Sequence, residues 1–268
     1  MSKKVRNIII IALSLVLLVS GGMVVFELLQ YKAGQDEYAK AEELAKLPDF
    51  SRITPAPVET EQAQPDSSQP PVVYVDPYAD ELQNMDFSAL QQVNPDVRGW
   101  ILIPGTVVSY PLLYGEEKES TYYLNHTWSG SYGVVGSIFI DKAVDPGFSG
   151  FNTVIYGHNM NNGSMFASIR NYSMQSYADA HPNIYITDEN GARCYEVFAA
   201  YEVKTDGDTY TIGFSSDEKK QEFLDFCVGS SAIKTSAAPT VDDSVITLST
   251  CTGRGHETRW VVQAVCKQ

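Results

Sequence analysis

One cysteine and one arginine stand at the two ends of a short loop between two strand-like segments. The first segment, residues 244–250, leads into Cys251, and the second, residues 258–266, carries Arg259 near its start. Two strands joined by a short loop usually pair antiparallel, which would place Cys251 beside Arg259 across the ladder. The thiolate is the reactive form of cysteine, and a neighbouring cation favours it. This hairpin therefore indicates an acyl-transfer nucleophile.

A cysteine nucleophile needs a base or cationic partner, and the chain offers four histidines. His158 follows the strand-like run 152–156 and one glycine, so its imidazole is expected at an open strand end, where scaffolds often place catalytic groups. His256 lies in the loop directly after Cys251, and spacing alone does not choose between the two. Arg254 in the same loop is likewise an alternative to Arg259. The remaining histidines lie in polar or turn segments and are expected to be structural: His126 and His181.

The other three cysteines differ from Cys251 in their settings. Cys251 ends a strand and opens a glycine-containing loop, whereas the others fall on a helix face or within strands. The absence of C-x-x-C spacing argues against a structural zinc site, and a domain of this length does not need disulfides. Three cysteines are therefore predicted to be packing residues: Cys194, Cys227 and Cys266.

Composition excludes one class of partner. The chain has 268 residues and a formal net charge of −14, so no basic surface for nucleic acid is implied. Its length suffices for one sizeable core.

The N-terminal region predicts a membrane segment. Lys3, Lys4 and Arg6 precede an uncharged run over residues 8–26, near the length that crosses a bilayer as a helix. The positive flank predicts a cytoplasmic tail over residues 1–7 and an exported remainder, hence a single-pass protein with an extracellular domain. A cleaved signal peptide is the alternative, because small residues at 20–22 follow the first apolar stretch. The apolar character resumes after them, which favours an uncleaved anchor.

Three regions follow the anchor. Residues 27–50 predict a juxtamembrane helix stopped by Pro48. Residues 51–80 are rich in Pro, Gln, Thr and Ser. They predict a spacer that extends the chain through a cell wall. Residues 81–268 hold many short strand signals, with helical patterns over 163–172 and 217–228, which is typical of a β-barrel or sandwich with helical additions.

Several motifs resemble those of sortases. Residues 247–251, Thr-Leu-Ser-Thr-Cys, resemble the TLxTC signature of that family, with Arg259 at the place of its arginine. Residues 156–158, Tyr-Gly-His, resemble its strand-end histidine motif. Likeness to class B sortases comes from segments 123–126 and 136–141. The region before Gly99 and the helix before the cysteine strand add to this likeness to class B. The resemblance to sortases covers the chain from Leu82 to the C terminus.

The resemblance implies an eight-stranded sortase-type β-barrel, mainly β with helical additions, and a cysteine transpeptidase. Cys251 would attack the threonine carbonyl of an NPxTN-like C-terminal sorting signal. His158, preferred on this ground over His256, would protonate the leaving amine, and Arg259 would stabilise the oxyanion. A cell-wall peptide amine would resolve the thioacyl enzyme, and no metal or cofactor is implied. Candidate substrate-binding residues are Ser249, Thr250 and Asn125.

Three alternatives remain open on the sequence. An exported cysteine peptidase or amidase of the wall would use the same thiol, although papain-like enzymes place cysteine before histidine. A pilin-polymerising sortase is suggested by residues 76–78, Asp-Pro-Tyr, which resemble the lid motif of class C sortases. An anchored binding module would merely bury Cys251.

Overall fold

A computed structural model describes residues 2–50, 53, 76–253 and 257–267. Its eight strands form a closed barrel in the order β1-β2-β3-β4-β7-β8-β6-β5, which confirms the predicted eight-stranded barrel. The strands are β1 (Val97–Leu102), β2 (Ser109–Leu113), β3 (Ile138–Ile140), β4 (Asn152–Tyr156), β5 (Asn183–Asp188), β6 (Gly191–Lys204), β7 (Val245–Cys251) and β8 (Thr258–Cys266).

Helices and 3-10 turns surround the barrel. The segment predicted as helical over 163–172 forms a 3-10 helix instead, which begins at Ala167. The α-helices are α1 (Lys3–Leu44), α2 (Pro77–Leu82), α3 (Phe87–Val93), α4 (Gln175–Ala180) and α5 (Asp217–Ser230), and the 3-10 helices are Tyr122–Leu124, Ala167–Ser173 and Asp208–Tyr210.

Strand β7 is buried on both faces. Ile246 and Leu248 belong to the main core, whereas Val245 lies in a second cluster with Phe223 and Cys227 of α5. The polar residues that alternate with Ile246 and Leu248 are buried and hydrogen-bonded as well, so the strand that leads to Cys251 is covered on both sides.

The topology gathers three strand ends at one edge of the barrel. β4 pairs parallel with β7, so their C-terminal ends lie side by side. β8 pairs antiparallel with β7, so its first residues return to the same edge. His158, Cys251 and Arg259 follow or occupy these three ends.

Helix α1 is one unbroken helix from Lys3 to Leu44. The sequence predicted a membrane segment over 8–26 and a separate helix over 27–50 ended by Pro48. The two predicted segments form a single helix, which ends at Leu44, shortly before that proline. Residues in the apolar half are exposed, whereas Tyr38, Ala41 and the following Ala45 lie in the main core.

The end of α1 is fastened to the barrel domain. The backbone N–H of Asp86 donates to the carbonyl of Ala45 at 2.9 Å, and Lys46 forms an ion pair with the Asp86 carboxylate at 2.9 Å. The rings of Phe50 and Tyr78 approach to 6.0 Å between centroids. Phe50 and Tyr78, which flank the proline-rich segment, therefore lie next to each other.

The range predicted as a spacer, residues 51–80, includes part of the folded domain. Helix α2 begins at Pro77 within that range and is part of the folded domain. Residues 54–75 lie outside the described residues. The contacts of α1 with the barrel domain join the two regions that the proline-rich segment connects.

The Asp-Pro-Tyr motif is not positioned as a lid over Cys251. The Asp76 carboxylate accepts hydrogen bonds from the backbone N–H groups of Tyr78 and Ala79, and so caps α2. It also accepts a hydrogen bond from the Tyr185 hydroxyl of β5 at 2.9 Å. Tyr185 pairs with Cys194, whose carbonyl accepts from the residue after β8. That end of β8 is opposite to Arg259.

Candidate active site

The loop after β4 continues alongside β7 beyond the last paired residues. Tyr156 is the register partner of Ser249. The Gly157 N–H then donates to the Ser249 carbonyl at 3.2 Å, and the Thr250 hydroxyl donates to the Gly157 carbonyl at 2.7 Å. This continued pairing carries His158 to the level of Cys251.

Asn159 adds a second tie between the two segments. Its side-chain Nδ2 donates to the carbonyl of Cys251 at 2.9 Å. His158 is therefore flanked on both sides by residues bonded to the strand of the cysteine. The structure thus brings together the histidine and the cysteine, which lie 93 residues apart in sequence.

Cys251 and Arg259 are register partners in the antiparallel β7–β8 pair, as the hairpin pattern predicted. Both residues are half-buried. The Arg259 guanidinium also donates from Nη1 to the neighbouring Thr258 carbonyl at 3.0 Å. The competing candidates of the sequence, Arg254 and His256, lie outside the described residues.

The His158 ring is oriented by a backbone carbonyl. Its Nε2 lies 2.6 Å from the oxygen of Leu124, which can only accept, so Nε2 carries the proton. Nδ1 is left as the nitrogen that can exchange a proton. Gly136 lies against the same edge of the ring, since a Cβ there would lie 3.0 Å from Cδ2 of His158, the atom next to Nε2.

Gly157 is a glycine because its neighbours leave no room for a side chain. A Cβ at this position would lie 2.4 Å from Ile138 and 2.6 Å from Phe166. The backbone that leads to His158 consequently passes in direct contact with the core. The histidine is placed by packing as well as by hydrogen bonds.

A tyrosine that sequence reasoning missed lies beneath the site. The Tyr210 hydroxyl shares a hydrogen bond of 2.9 Å with the Ser249 hydroxyl, and its ring stacks on Tyr156. Burial raises the pKa of Tyr210, and its bond to Ser249 and the charge of Arg259 oppose that rise. Tyr210 comes from a distant 3-10 helix, so no local signal points to it. Asn159 was also missed, although it directly follows the histidine motif and so carried a local signal.

The predicted substrate-binding residues have different surroundings. Ser249 and Thr250 are only 1% and 2% exposed, and their hydroxyls bond to Tyr210 and to Gly157. Their side chains therefore support the site from within. Asn125 is exposed and directly follows Leu124, the residue whose carbonyl accepts from His158.

The four cysteines are free thiols. Cys227 is fully buried, as predicted. Burial raises the pKa of Cys194 to about 11 and that of Cys227 to about 11, and it also raises the pKa of Cys266. These three thiols are poor nucleophiles at neutral pH because little thiolate forms.

The described part of the chain has no group of three or more His, Cys, Asp or Glu side chains that could hold a metal ion. The candidate site brings together a thiol, an imidazole and a guanidinium. Such a set can form an acyl-enzyme, donate a proton to a leaving amine and stabilise an oxyanion.

Comparison with known proteins gives consistent matches. Residues 101–267 match the sortase domain family. Sortase B of Staphylococcus aureus is 33% identical over 181 residues, which cover 68% of this chain and 73% of that protein. Sortase B of Listeria monocytogenes is 37% identical over 178 residues, covering 65% and 71%.

A solved Staphylococcus aureus sortase B–substrate complex superposes with a TM-score of 0.64 and 32% identity, covering 68% of this chain and 84% of that one. Sequence family and barrel architecture agree. The chain therefore belongs to the sortase family, is similar to its class B members, and is a cysteine transpeptidase.

Proposed function

We propose that this sortase is a membrane-anchored enzyme that cleaves a C-terminal sorting signal after threonine and joins the protein to a cell-wall peptide amine. The observation that supports this most is the placement of Cys251 beside Arg259 and at the level of His158 on one barrel edge. The role of each residue follows from its chemistry.

Cys251 is the nucleophile. Its thiolate attacks the threonine carbonyl, and a C–S bond forms as the carbonyl oxygen becomes negative. The guanidinium of Arg259 stabilises that oxyanion. The C–N bond then breaks while the imidazolium of His158 gives its proton to the leaving amine.

The thioester is resolved by a second nucleophile. An amine of a peptidoglycan precursor or cross-bridge attacks the carbonyl carbon, and its proton passes to His158. The C–S bond breaks and the Cys251 thiolate is restored. Hydrolysis would follow the same path with water in place of the amine.

Helix α1 is the membrane anchor. It alone among the described helices is long and apolar enough to cross a bilayer, and the residues of its apolar window are exposed. Lys3, Lys4 and Arg6 precede that window, which favours a cytoplasmic N terminus and an extracellular barrel.

The proposed substrates are surface proteins with an NPxTN-like signal. This preference rests on the likeness to class B sortases. It is the part of the proposal that a peptide library tests directly, because cleavage identifies the preferred signal while it demonstrates activity.

The decisive experiment uses the full-length protein in detergent with a fluorogenic peptide library and a peptide amine. We expect transfer after threonine by the wild type and none by Cys251→Ala, which should keep the fold. Retained transfer by Cys251→Ala would refute the assignment of the nucleophile.

The arginine is tested by a matched pair of variants. Arg259→Ala should lower kcat/KM about 10²- to 10³-fold, as loss of one oxyanion donor typically does. Arg254→Ala is the control and should have a small effect. The reverse result would transfer the role to Arg254.

A further inference from the structure

The loop between β2 and β3 lies between helix α1 and His158. Residues 123–137 of this loop supply both contacts that orient the imidazole. The Leu124 carbonyl accepts from Nε2 at 2.6 Å, and Gly136 lies against the ring. Whatever holds this loop therefore holds the histidine.

Tyr38 of α1 holds the loop directly behind the ring. Its hydroxyl donates to the Gly136 carbonyl at 2.5 Å and lies 3.4 Å from the Ser137 hydroxyl. The side chain is 7% exposed and packs edge-on against Tyr110 of β2, with 5.1 Å between ring centroids. The hydroxyl is thus aimed at the loop by a packed ring.

Two further contacts fasten α1 to the same loop. The indole of Trp128 donates to the Glu37 carbonyl at 2.8 Å. Gly34 lets Val135 approach closely, since a Cβ there would lie 2.7 Å from Val135 Cγ1. The helix backbone and the loop are therefore in direct contact over one full turn from Gly34 to Tyr38.

Gly136 is the connection between the two sides. Its φ of +57° is a left-handed conformation that favours glycine. A Cβ there would also lie 2.7 Å from the Leu124 oxygen. The Gly136 backbone therefore lies next to both the His158 ring and the carbonyl that accepts from it. A shift of the Gly136 carbonyl would move both contacts together.

We propose that Tyr38 is a positioning residue for His158, which makes the proposed membrane anchor part of the support of the active site. The proposal rests on the catalytic role proposed for His158. Tyr38 acts through the Gly136 turn and does not touch substrate.

The test compares two tyrosines of α1 in the full-length protein. Tyr38→Phe removes only the hydroxyl and keeps the ring packed on Tyr110. Tyr31→Phe is the matched control, because Tyr31 lies two turns earlier on the same helix and its hydroxyl bonds to Glu27 and Asn161 rather than to residues 123–137. Circular dichroism checks that both variants are folded.

Two readouts separate positioning from a loss of folded protein. Tyr38→Phe should lower kcat about three- to tenfold with little change in KM, because a displaced catalytic group slows chemistry more than binding. The rate of Cys251 alkylation at pH 7 should fall about two- to threefold, because a displaced imidazole no longer favours the reactive thiolate. Tyr31→Phe should match the wild type in both.

Each outcome of these measurements either supports or overturns the positioning role of Tyr38. If Tyr38→Phe coincides with Tyr31→Phe in both readouts, the proposal is overturned. If Tyr38→Phe does not fold, Trp128→Phe removes another hydrogen bond between the loop and α1 and is judged by the same curves. If the wild type transfers no peptide, the proposed function fails, while the alkylation curves still decide the role of Tyr38.

Discussion

The side chain of Asn159 donates a hydrogen bond of 2.9 Å to the backbone carbonyl of Cys251. This contact helps to fix the histidine loop against the end of the cysteine strand. The parallel ladder alone stops at Tyr156 and Ser249. Beyond that point, one backbone hydrogen bond from Gly157 to Ser249 and two side-chain hydrogen bonds hold the segments in register.

Replacing Asn159 should therefore impair catalysis more than folding. We expect Asn159→Ala to lower kcat/KM for a sorting-signal peptide about tenfold, because His158 is no longer held at the level of Cys251. Asn161→Ala, an exposed position in the same loop, is the control. Equal activities of the two variants would show that the bond is dispensable.

Gly157 should tolerate no side chain. Gly157→Ala puts a methyl group 2.4 Å from Ile138 and should destabilise the fold by about 1–3 kcal/mol, the usual range for overpacking. Gly150→Ala is the matched control, with nothing within 4 Å of the added atom. Urea unfolding measures both, and equal midpoints would contradict the prediction.

The hydroxyls of Tyr210 and Ser249 should act as one unit. Tyr210→Phe and Ser249→Ala should each cost about 0.5–1.5 kcal/mol of stability, the net value of a typical hydrogen bond. The double variant should cost clearly less than the sum. Strict additivity in a double-mutant cycle would show that the two hydroxyls stabilise the protein independently.

Alkylation should be selective for Cys251. The raised pKa values of Cys194 and Cys227, each about 11, leave little thiolate at pH 7. Iodoacetamide should therefore add one label to the wild type and none to Cys251→Ala over the same time. In that variant, labelling should increase as the pH approaches 11. Comparable labelling of both proteins at pH 7, measured by mass spectrometry, would contradict this.

The proline-rich segment should be dispensable for the barrel. The rings of Phe50 and Tyr78 hold its ends together, so replacing residues 54–75 with a short Gly-Ser linker should leave the fold and peptide transfer unchanged. A scrambled sequence of the same length and composition is the control. Loss of transfer by the short variant alone would restore a role for segment length.

The sequence by itself determined the chemistry and the local pairing. A short loop between two strand-like runs places Cys251 opposite Arg259, because hairpin register is a local property. The motifs, compared with the sortase family, also indicated the barrel. The apolar run within α1 was readable because length and hydropathy suffice to recognise a candidate span.

Only the tertiary structure decided which residues support the site. Parallel pairing of β4 with β7 joins segments that are far apart in sequence, and so do the contacts of Tyr210 and Tyr38. No local pattern encodes such contacts, since they depend on how distant elements pack. For the same reason, the composition of the proline-rich segment predicted only a spacer. The contacts of α1 with the barrel instead bring the two ends of that segment together.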